Sequence, residues 1–201
     1  MEKQFISVIP VSMWIPIIII ALILIGLYMI YVGLINKKNT AKEAFSGIDV
    51  QLKKRYDLIP NILFIANKFM EHERELLTGI TELRAQAAKL PADLNKVQEK
   101  IDLDNKISGM MGQLMVSVEN YPQLKSDQTM LQAMQTYNEQ EEHIAAARRF
   151  YNSAVKELNN AVEIFPSSLV AVLVNVKGLP FFEATETERQ GINAADYFTK
   201  H

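Results

Sequence analysis

The sequence is dominated near its start by one uninterrupted apolar stretch, residues 13–35, which reads MWIPIIIIALILIGLYMIYVGLI. Its 23 residues are all apolar, glycine or proline, and as a helix they would extend about 34 Å. A hydrocarbon core is about 30 Å thick, so the stretch can span a bilayer with some tilt. A helix of a soluble core would keep a polar face, and a cleaved signal peptide would have an apolar region of about 7–15 residues. We therefore expect a transmembrane helix over 13–36, with residues 13–35 in contact with the lipid bilayer.

The flanking charges indicate an orientation. Lys3 is the only basic residue before the stretch, whereas several follow it closely, namely Lys37, Lys38, Lys42, Lys53, Lys54 and Arg55. Because positive charge is retained on the cytoplasmic side, residues 1–12 are predicted to be an extracytoplasmic tail. The rest of the chain is predicted to lie in the cytoplasm.

Composition excludes several classes of function. The chain has 201 residues, with Lys+Arg 21 against Asp+Glu 23 and a formal charge of −2. This balance provides no basic surface for nucleic-acid phosphates, so no nucleic-acid partner is expected. The absence of cysteine excludes a disulfide framework, a cysteine-ligated zinc ion and a thiol nucleophile.

The region after the apolar stretch is predicted to be helical. Apolar residues recur there at steps of three and four, the spacing that keeps one face of a helix apolar; they are Phe45, Ile48, Leu52, Tyr56, Ile59, Leu63, Ala66 and Met70. A proline usually interrupts a helix, but the phase of this stripe does not change at Pro60. The pattern favours a helix that is kinked at Pro60 but continuous.

Two further stripes follow. The second, from Leu76 to Ile101, has the 3.5-residue spacing of a coiled coil. Its phase then shifts, which leaves open either an adjustment within 102–106 or a break near Pro91. The third runs from Met130 towards Phe165 with a polar gap at Gln140 and Glu141, and it should end before Pro166.

The predicted architecture is all-α. A transmembrane helix is followed by an elongated antiparallel bundle of three long helices plus a short C-terminal helix, over 37–183. Residues 184–201 are predicted to form a polar C-terminal tail.

Motifs for chemistry are nearly absent from the sequence. It has no phosphate-binding loop, nucleophile elbow or H-E-x-x-H pair. Residues 102–106 begin like a calcium loop but lack its later ligand and its glycine, so we interpret them as a solvated linker. His143 lacks the glutamates of a di-iron motif and is expected on an exposed face. We predict no catalytic residue, no metal ligand and no cofactor.

Basic clusters have an ordinary interpretation. Lys53, Lys54 and Arg55 lie too far along a helix from the bilayer to bind its headgroups, so a solvated or ion-paired face is expected. Arg148 and Arg149 are expected to make polar contacts between helices.

The apolar run over 169–174 suggests an interaction surface. Its side chains point in nearly every direction around a helix, so one face of a bundle cannot cover them all. Burial in the protein's own core is the ordinary outcome, and contact between protomers is the alternative. We predict a homo-oligomer whose interface includes Leu169, Val172, Leu173, Phe181 and Phe182.

Four segments resemble the bacterial LemA family: 44–61 (AFSGIDVQLKKRYDLIPN), 119–125 (ENYPQLK), 144–155 (IAAARRFYNSAV) and Phe165-Pro166. They keep the family's order behind an N-terminal membrane span and cover roughly residues 37–183. Phe45 stands where the family commonly has tryptophan. The resemblance implies a helical bundle on a single-pass anchor in the bacterial cell (inner) membrane, with no established catalytic activity.

Two hypotheses for function follow. The first is a non-catalytic scaffold or adaptor that acts through self-assembly and contacts with other proteins, such as a membrane protease or a signalling protein. The second is an enzyme or a receptor for a ligand or metal, with a cavity inside the bundle near Gln140 and Glu141.

Overall fold

The computed structural model describes residues 11–182, and all regular structure in that range is helical. This confirms the all-α class. The predicted tail 184–201 and residues 1–10 of the predicted N-terminal tail lie outside the described range. The helices are α1 (Val11–Ala66), α2 (Arg74–Lys89), α3 (Val97–Val118), α4 (Pro122–Lys125), α5 (Gln128–Glu163) and α6 (Ser167–Leu173).

α1 is a continuous helix that contains both Pro16 and Pro60. The predicted continuity at Pro60 is therefore confirmed. Proline has no N–H, so Pro60 cannot donate to the carbonyl of Tyr56 four residues earlier. Arg84 of α2 donates its Nε–H to that carbonyl instead, at 3.0 Å. The proline thus frees a backbone acceptor that links α1 to α2.

The second stripe is divided between two helices. α2 ends at Lys89, before Pro91, and α3 starts at Val97 after a 3-10 turn over Leu94–Lys96. The side chain of Asp93 accepts a hydrogen bond from the Asn95 backbone N–H, which helps to start this turn. The break is thus near Pro91, and the solvated linker expected at 102–106 is wrong because these residues lie inside α3.

The long helices run alternately up and down. Arg84 of α2 contacts Tyr56 of α1. α3 runs parallel to α1, because Lys100 pairs with Asp49 and Asp104 pairs with Arg55. α5 returns antiparallel to α1, because Glu141 pairs with Arg55 and the later Glu157 pairs with the earlier Lys37. The antiparallel register is marked by an ion pair at 2.7 Å between Lys37 and Glu157. The bundle therefore has four long helices, because the segment expected as one long helix folds back on itself.

The core follows the first stripe of the sequence. Seven of its eight members are buried, and Leu63 is partly buried against them.

Asp127 caps α5 by accepting a hydrogen bond from the Met130 N–H at 2.9 Å. Phe165, expected to close the third stripe, lies beyond α5 and is exposed.

Most of the apolar part of α1 is not covered by protein. Within the described residues, one helix is long and apolar enough to cross a membrane, and it is this one. Side chains from Trp14 to Ile25 are all exposed, and regular burial begins at Ile30 and Leu34.

Candidate functional site

The centre of the bundle holds a cluster of charged side chains from three helices. Arg55 of α1 and Asp104 of α3 are completely buried, and Arg148 of α5 is nearly so. One oxygen of the Asp104 carboxylate accepts from Arg55 and the other accepts from Arg148. A single carboxylate therefore joins two guanidinium groups on different helices, and we call these residues, with Glu141, the charge network.

Glu141 supplies a second negative charge. Its Oε1 accepts from Nη1 of Arg55 at 2.8 Å, and the same nitrogen lies 2.9 Å from Oγ of Ser108. Next to it, Nε2 of Gln140 donates to the backbone oxygen of Gln51 at 3.0 Å. The polar residues Gln140 and Glu141 in the third stripe are thus accounted for by polar partners on α1, Gln51 and Arg55.

Electrostatics stabilise the charged form of Arg55. Burial lowers its pKa, but attraction to the Asp104 and Glu141 carboxylates outweighs burial, so the net shift is upward. Burial raises the pKa of Tyr137, which lies beside the network, and of Tyr56. These tyrosines therefore remain neutral at physiological pH and contribute no charge.

The arrangement fixes how the helices fit together. A buried ion loses its hydration, and only well-placed partners of opposite charge compensate for that loss. Sliding α3 by one turn would separate Asp104 from both arginines. A second pair, between the buried Lys100 and the half-buried Asp49, repeats the link between α3 and α1. The network thus selects one register of the bundle.

Other residues singled out from the sequence have simpler positions. Lys53, Lys54 and Arg149 are exposed, as is His143. Within residues 11–182, no group of three or more histidine, aspartate or glutamate side chains is placed to hold a metal ion. The expectation of inter-helix contacts is confirmed for Arg148.

The five residues predicted for an oligomer interface differ in exposure. Leu169, Val172 and Leu173 are exposed on α6, and Phe181 is exposed further along the chain. Phe182 is buried, with its ring 5.4 Å from that of Tyr151 in an edge-to-face arrangement. Phe182 is therefore a core residue and is removed from the interface set, while the exposure of the others does not by itself distinguish a protein contact from a lipid contact.

Two asparagines of α5 hold the chain that follows α6. Asn159 exchanges two hydrogen bonds with the backbone of Leu179, and Asn152 exchanges two with that of Phe182. Seven helical residues rise about 10.5 Å, and three extended residues span about 10 Å. The distance between the two asparagines along α5 therefore matches the length of residues 179–182 in an extended conformation. We call residues 179–182, which lie along α5, the extended segment.

An apolar groove lies at the end of the bundle farthest from the apolar part of α1. Its volume is about 520 Å³, and its lining includes Leu58, Phe64 and Phe69 on one side and Ala133 and Thr136 on the other. Polar residues also border it, among them Lys68 and Asp127. The Phe64 ring is 66% exposed and lies 4.6 Å from the Lys68 ammonium. We call this feature the distal groove.

Comparisons with known proteins give relatives that match this chain over most of its length. Protein LemA of Metamycoplasma hominis is 26% identical over 173 residues, which cover 84% of this chain and 78% of that protein. Magnetosome protein MamQ of Magnetospirillum gryphiswaldense is 20% identical over 86% of this chain and 72% of its own length. Magnetosome protein MamQ 2 of Paramagnetospirillum magneticum is 21% identical over 78% of this chain and 66% of its own length.

The model of the LemA family matches residues 44–194. This range contains the charge network, the asparagines that hold the extended segment and the distal groove. It also passes residue 183, where the resemblance in the sequence was expected to end. The chain belongs to the LemA family.

Proposed function

We propose that this protein is a non-catalytic, membrane-anchored scaffold that self-assembles and presents its bundle to other membrane proteins. Residues 13–35 of α1 anchor it in the bacterial inner membrane, and the bundle lies on the cytoplasmic side. Family membership and the exposed apolar part of α1 support a membrane-associated helical protein. The matched relatives have names that state no enzymatic activity.

The observation that carries this proposal is the distal groove. Phe64 follows Ile35 by 29 residues of one continuous helix, so the groove lies about 44 Å beyond the apolar stretch. An exposed apolar surface on a soluble domain commonly marks a contact with another protein. At this distance from the bilayer, the surface is available to a protein rather than to lipid.

Geometry favours a second copy of the chain as an occupant. Copies inserted in the same direction carry the groove at the same height. Two grooves can then meet side by side about a two-fold axis normal to the membrane, as closed dimers require. Clients such as a membrane protease or a signalling protein would bind to the assembly.

Self-assembly is tested by the mass of the full-length protein in mild detergent. Multi-angle light scattering should give a protein mass well above 22.8 kDa for the wild type. Phe64→Glu should lower it, because the substitution removes the apolar ring and places in the contact a carboxylate whose loss of hydration outweighs pairing with the exposed Lys68. Val116→Glu is the matched control, since Val116 is equally exposed but lies on α3 outside the groove.

A wild-type monomer at every concentration would contradict self-assembly. An unchanged mass for Phe64→Glu would remove the groove as the contact. A photo-crosslinking residue at position 64, used in intact bacteria, would then identify any client protein by mass spectrometry.

A further inference from the structure

We propose that residues 164–176, which include α6, insert into the leaflet of the bilayer that faces the bundle and form a second membrane attachment beside α1. We call this segment the foot. The proposal rests on the anchoring of α1 in the membrane, and it adds a lipid-binding surface on a part of the chain far from α1 in sequence.

The composition of the foot suits lipid. The segment reads IFPSSLVAVLVNV, with no charged residue between Glu163 and Lys177. Val172 and Leu173 are 80% and 83% exposed, among the most exposed large apolar side chains of the described residues. Four more large apolar residues of the segment are exposed, namely Ile164, Phe165, Leu169 and Val174.

The helix register places the foot at membrane depth. α1 and α5 run antiparallel, and Glu157 lies opposite Lys37, just after the apolar stretch. Continuing α5 by six residues to Glu163 moves about 9 Å towards the membrane. That end of α5 is level with about residue 31 of α1, inside the stretch 13–35.

The return of the chain gives the same depth. Leu179 is hydrogen-bonded to Asn159, which lies only two residues beyond Glu157 on α5. The residues between Glu163 and Leu179 therefore form the part of the bundle that lies nearest the membrane. Phe181 is not part of it, because the neighbouring Phe182 is held at Asn152, about 10 Å further from the membrane.

Burial on α1 shows that protein occupies this depth. Leu34 is 1% exposed and Ile30 packs against the core, although both belong to the apolar stretch. α6 packs against α1 and α5 with Val170 and Ala171 turned inward. The exposed face of α6 lies at the same depth as part of the exposed apolar surface of α1, so the medium at that depth covers both.

Basic residues border the foot where headgroups would lie. Lys38 and Lys177 are exposed and line one shared cleft beside the lower end of the bundle. Their ammonium groups can contact anionic headgroups while the apolar side chains enter the acyl region. The foot thus has an apolar face and a cationic border, as an interfacial helix requires.

The test measures the depth of single nitroxide labels in the full-length protein. The chain has no cysteine, so one introduced cysteine labels one site. Labels at Leu173 in the foot, Leu24 in the middle of α1 and Val116 on α3 replace exposed side chains. The protein is reconstituted into vesicles of phosphatidylcholine and phosphatidylglycerol, and collisions with oxygen and with a water-soluble nickel chelate are compared.

We expect labels at Leu173 and Leu24 to favour oxygen and the label at Val116 to favour the nickel chelate. A label at Val172 should behave as the label at Leu173 does. An aqueous signal at Leu173 with a lipid signal at Leu24 would overturn the foot and leave the anchor intact. An aqueous signal at Leu24 would overturn the anchor, and with it the foot.

Contact between protomers would produce a different result. Two labels at Leu173 in neighbouring copies would broaden each other's spectrum, and dilution with unlabelled protein would remove the broadening. That outcome would assign the face of α6 to a second copy and overturn the lipid assignment. We expect a spectrum that does not change on dilution.

Discussion

Asp104 is the residue on which the interior of the bundle depends most. Its carboxylate pairs with Arg55 and Arg148, and all three side chains are buried. Removing one partner of a buried ion pair leaves the other charge without compensation. The cost therefore exceeds that of losing an ordinary hydrogen bond.

Asp104→Ala is expected to lower the free energy of unfolding by about 3–5 kcal/mol. Asp102→Ala is the matched control, because Asp102 lies on the same helix and is exposed; it should change stability by less than about 0.5 kcal/mol. Urea unfolding of the detergent-solubilised protein, followed by circular dichroism, measures both. Equal effects of the two variants would contradict a stabilising role for the network.

Tyr137 gives the protein a predictable response to alkali. Burial raises its pKa in the folded state above the ordinary value of about 10. The unfolded chain therefore loses the proton first, so stability is fully present below about pH 10 and falls as pH rises further. Tyr137→Phe should make this fall shallower in unfolding experiments between pH 9 and 11. The same slope for both proteins would contradict the assignment.

The charge network also shows where local sequence patterns stop being informative. The polar character of 102–106 is visible in the sequence, and it suggested a linker. The partners of Asp104 are 49 and 44 residues away along the chain. A polar residue in a helix is either exposed or paired across the bundle, and only the packing of distant helices distinguishes the two.

At the scale of helices, the effects of Pro60 and Arg84 depend on each other, because both act on the carbonyl of Tyr56. Pro60 leaves the carbonyl of Tyr56 without its helical donor, and Arg84 supplies a donor from α2. Arg84→Met should cost about 1 kcal/mol in the wild type. Arg74→Met, on an exposed position of the same helix, is its control.

Pro60→Ala should leave stability unchanged or raise it, because a helical N–H and a higher helix propensity return. In that variant the Tyr56 carbonyl has its own donor, so Arg84→Met should cost less than in the wild type. A double-mutant cycle measured by thermal unfolding reports this difference. Additive effects would contradict the link, and a large loss of stability in Pro60→Ala alone would show that the kink is needed for packing.

Asn152 provides a test of the extended segment. Asn152→Ala removes both hydrogen bonds between this side chain and the Phe182 backbone. The rate of hydrogen exchange at the Phe182 amide should rise at least tenfold, which corresponds to about 1.4 kcal/mol. Asn160→Ala, on the exposed face of α5, is the control. Unchanged exchange in Asn152→Ala would show that the Phe182 ring alone holds the segment.

Periodicity predicted the helices better than it predicted their ends. The unchanged phase at Pro60 was sufficient to indicate a continuous helix, because a stripe reports which face is buried. It could not distinguish one long helix from the hairpin of α2 and α3, since a turn of suitable length can restore the phase on its far side. The asparagine spacing that matches the extended segment becomes meaningful only once that segment is known to lie along α5.

At the scale of the whole molecule, topology is the first property to test. The bundle is expected in the cytoplasm, from the excess of basic residues after the apolar stretch. A cysteine at the exposed Ser126 should resist a membrane-impermeant maleimide in intact cells, and a cysteine at Ser7 should react. The reverse labelling pattern would reverse the orientation, and lysed cells provide the control for reactivity.

Because α1 is one continuous helix, its apolar part and its part in the bundle change direction together. A change in the tilt of residues 13–35 therefore moves the opposite end of α1, at Ala66. Transmembrane helices adjust their tilt to bilayer thickness. Ala66 lies about 47 Å beyond Ile35, and a change in tilt of about 10° moves it sideways by about 8 Å. Under the proposed function, a client protein at the distal groove would therefore move by several ångströms when the bilayer thins or thickens.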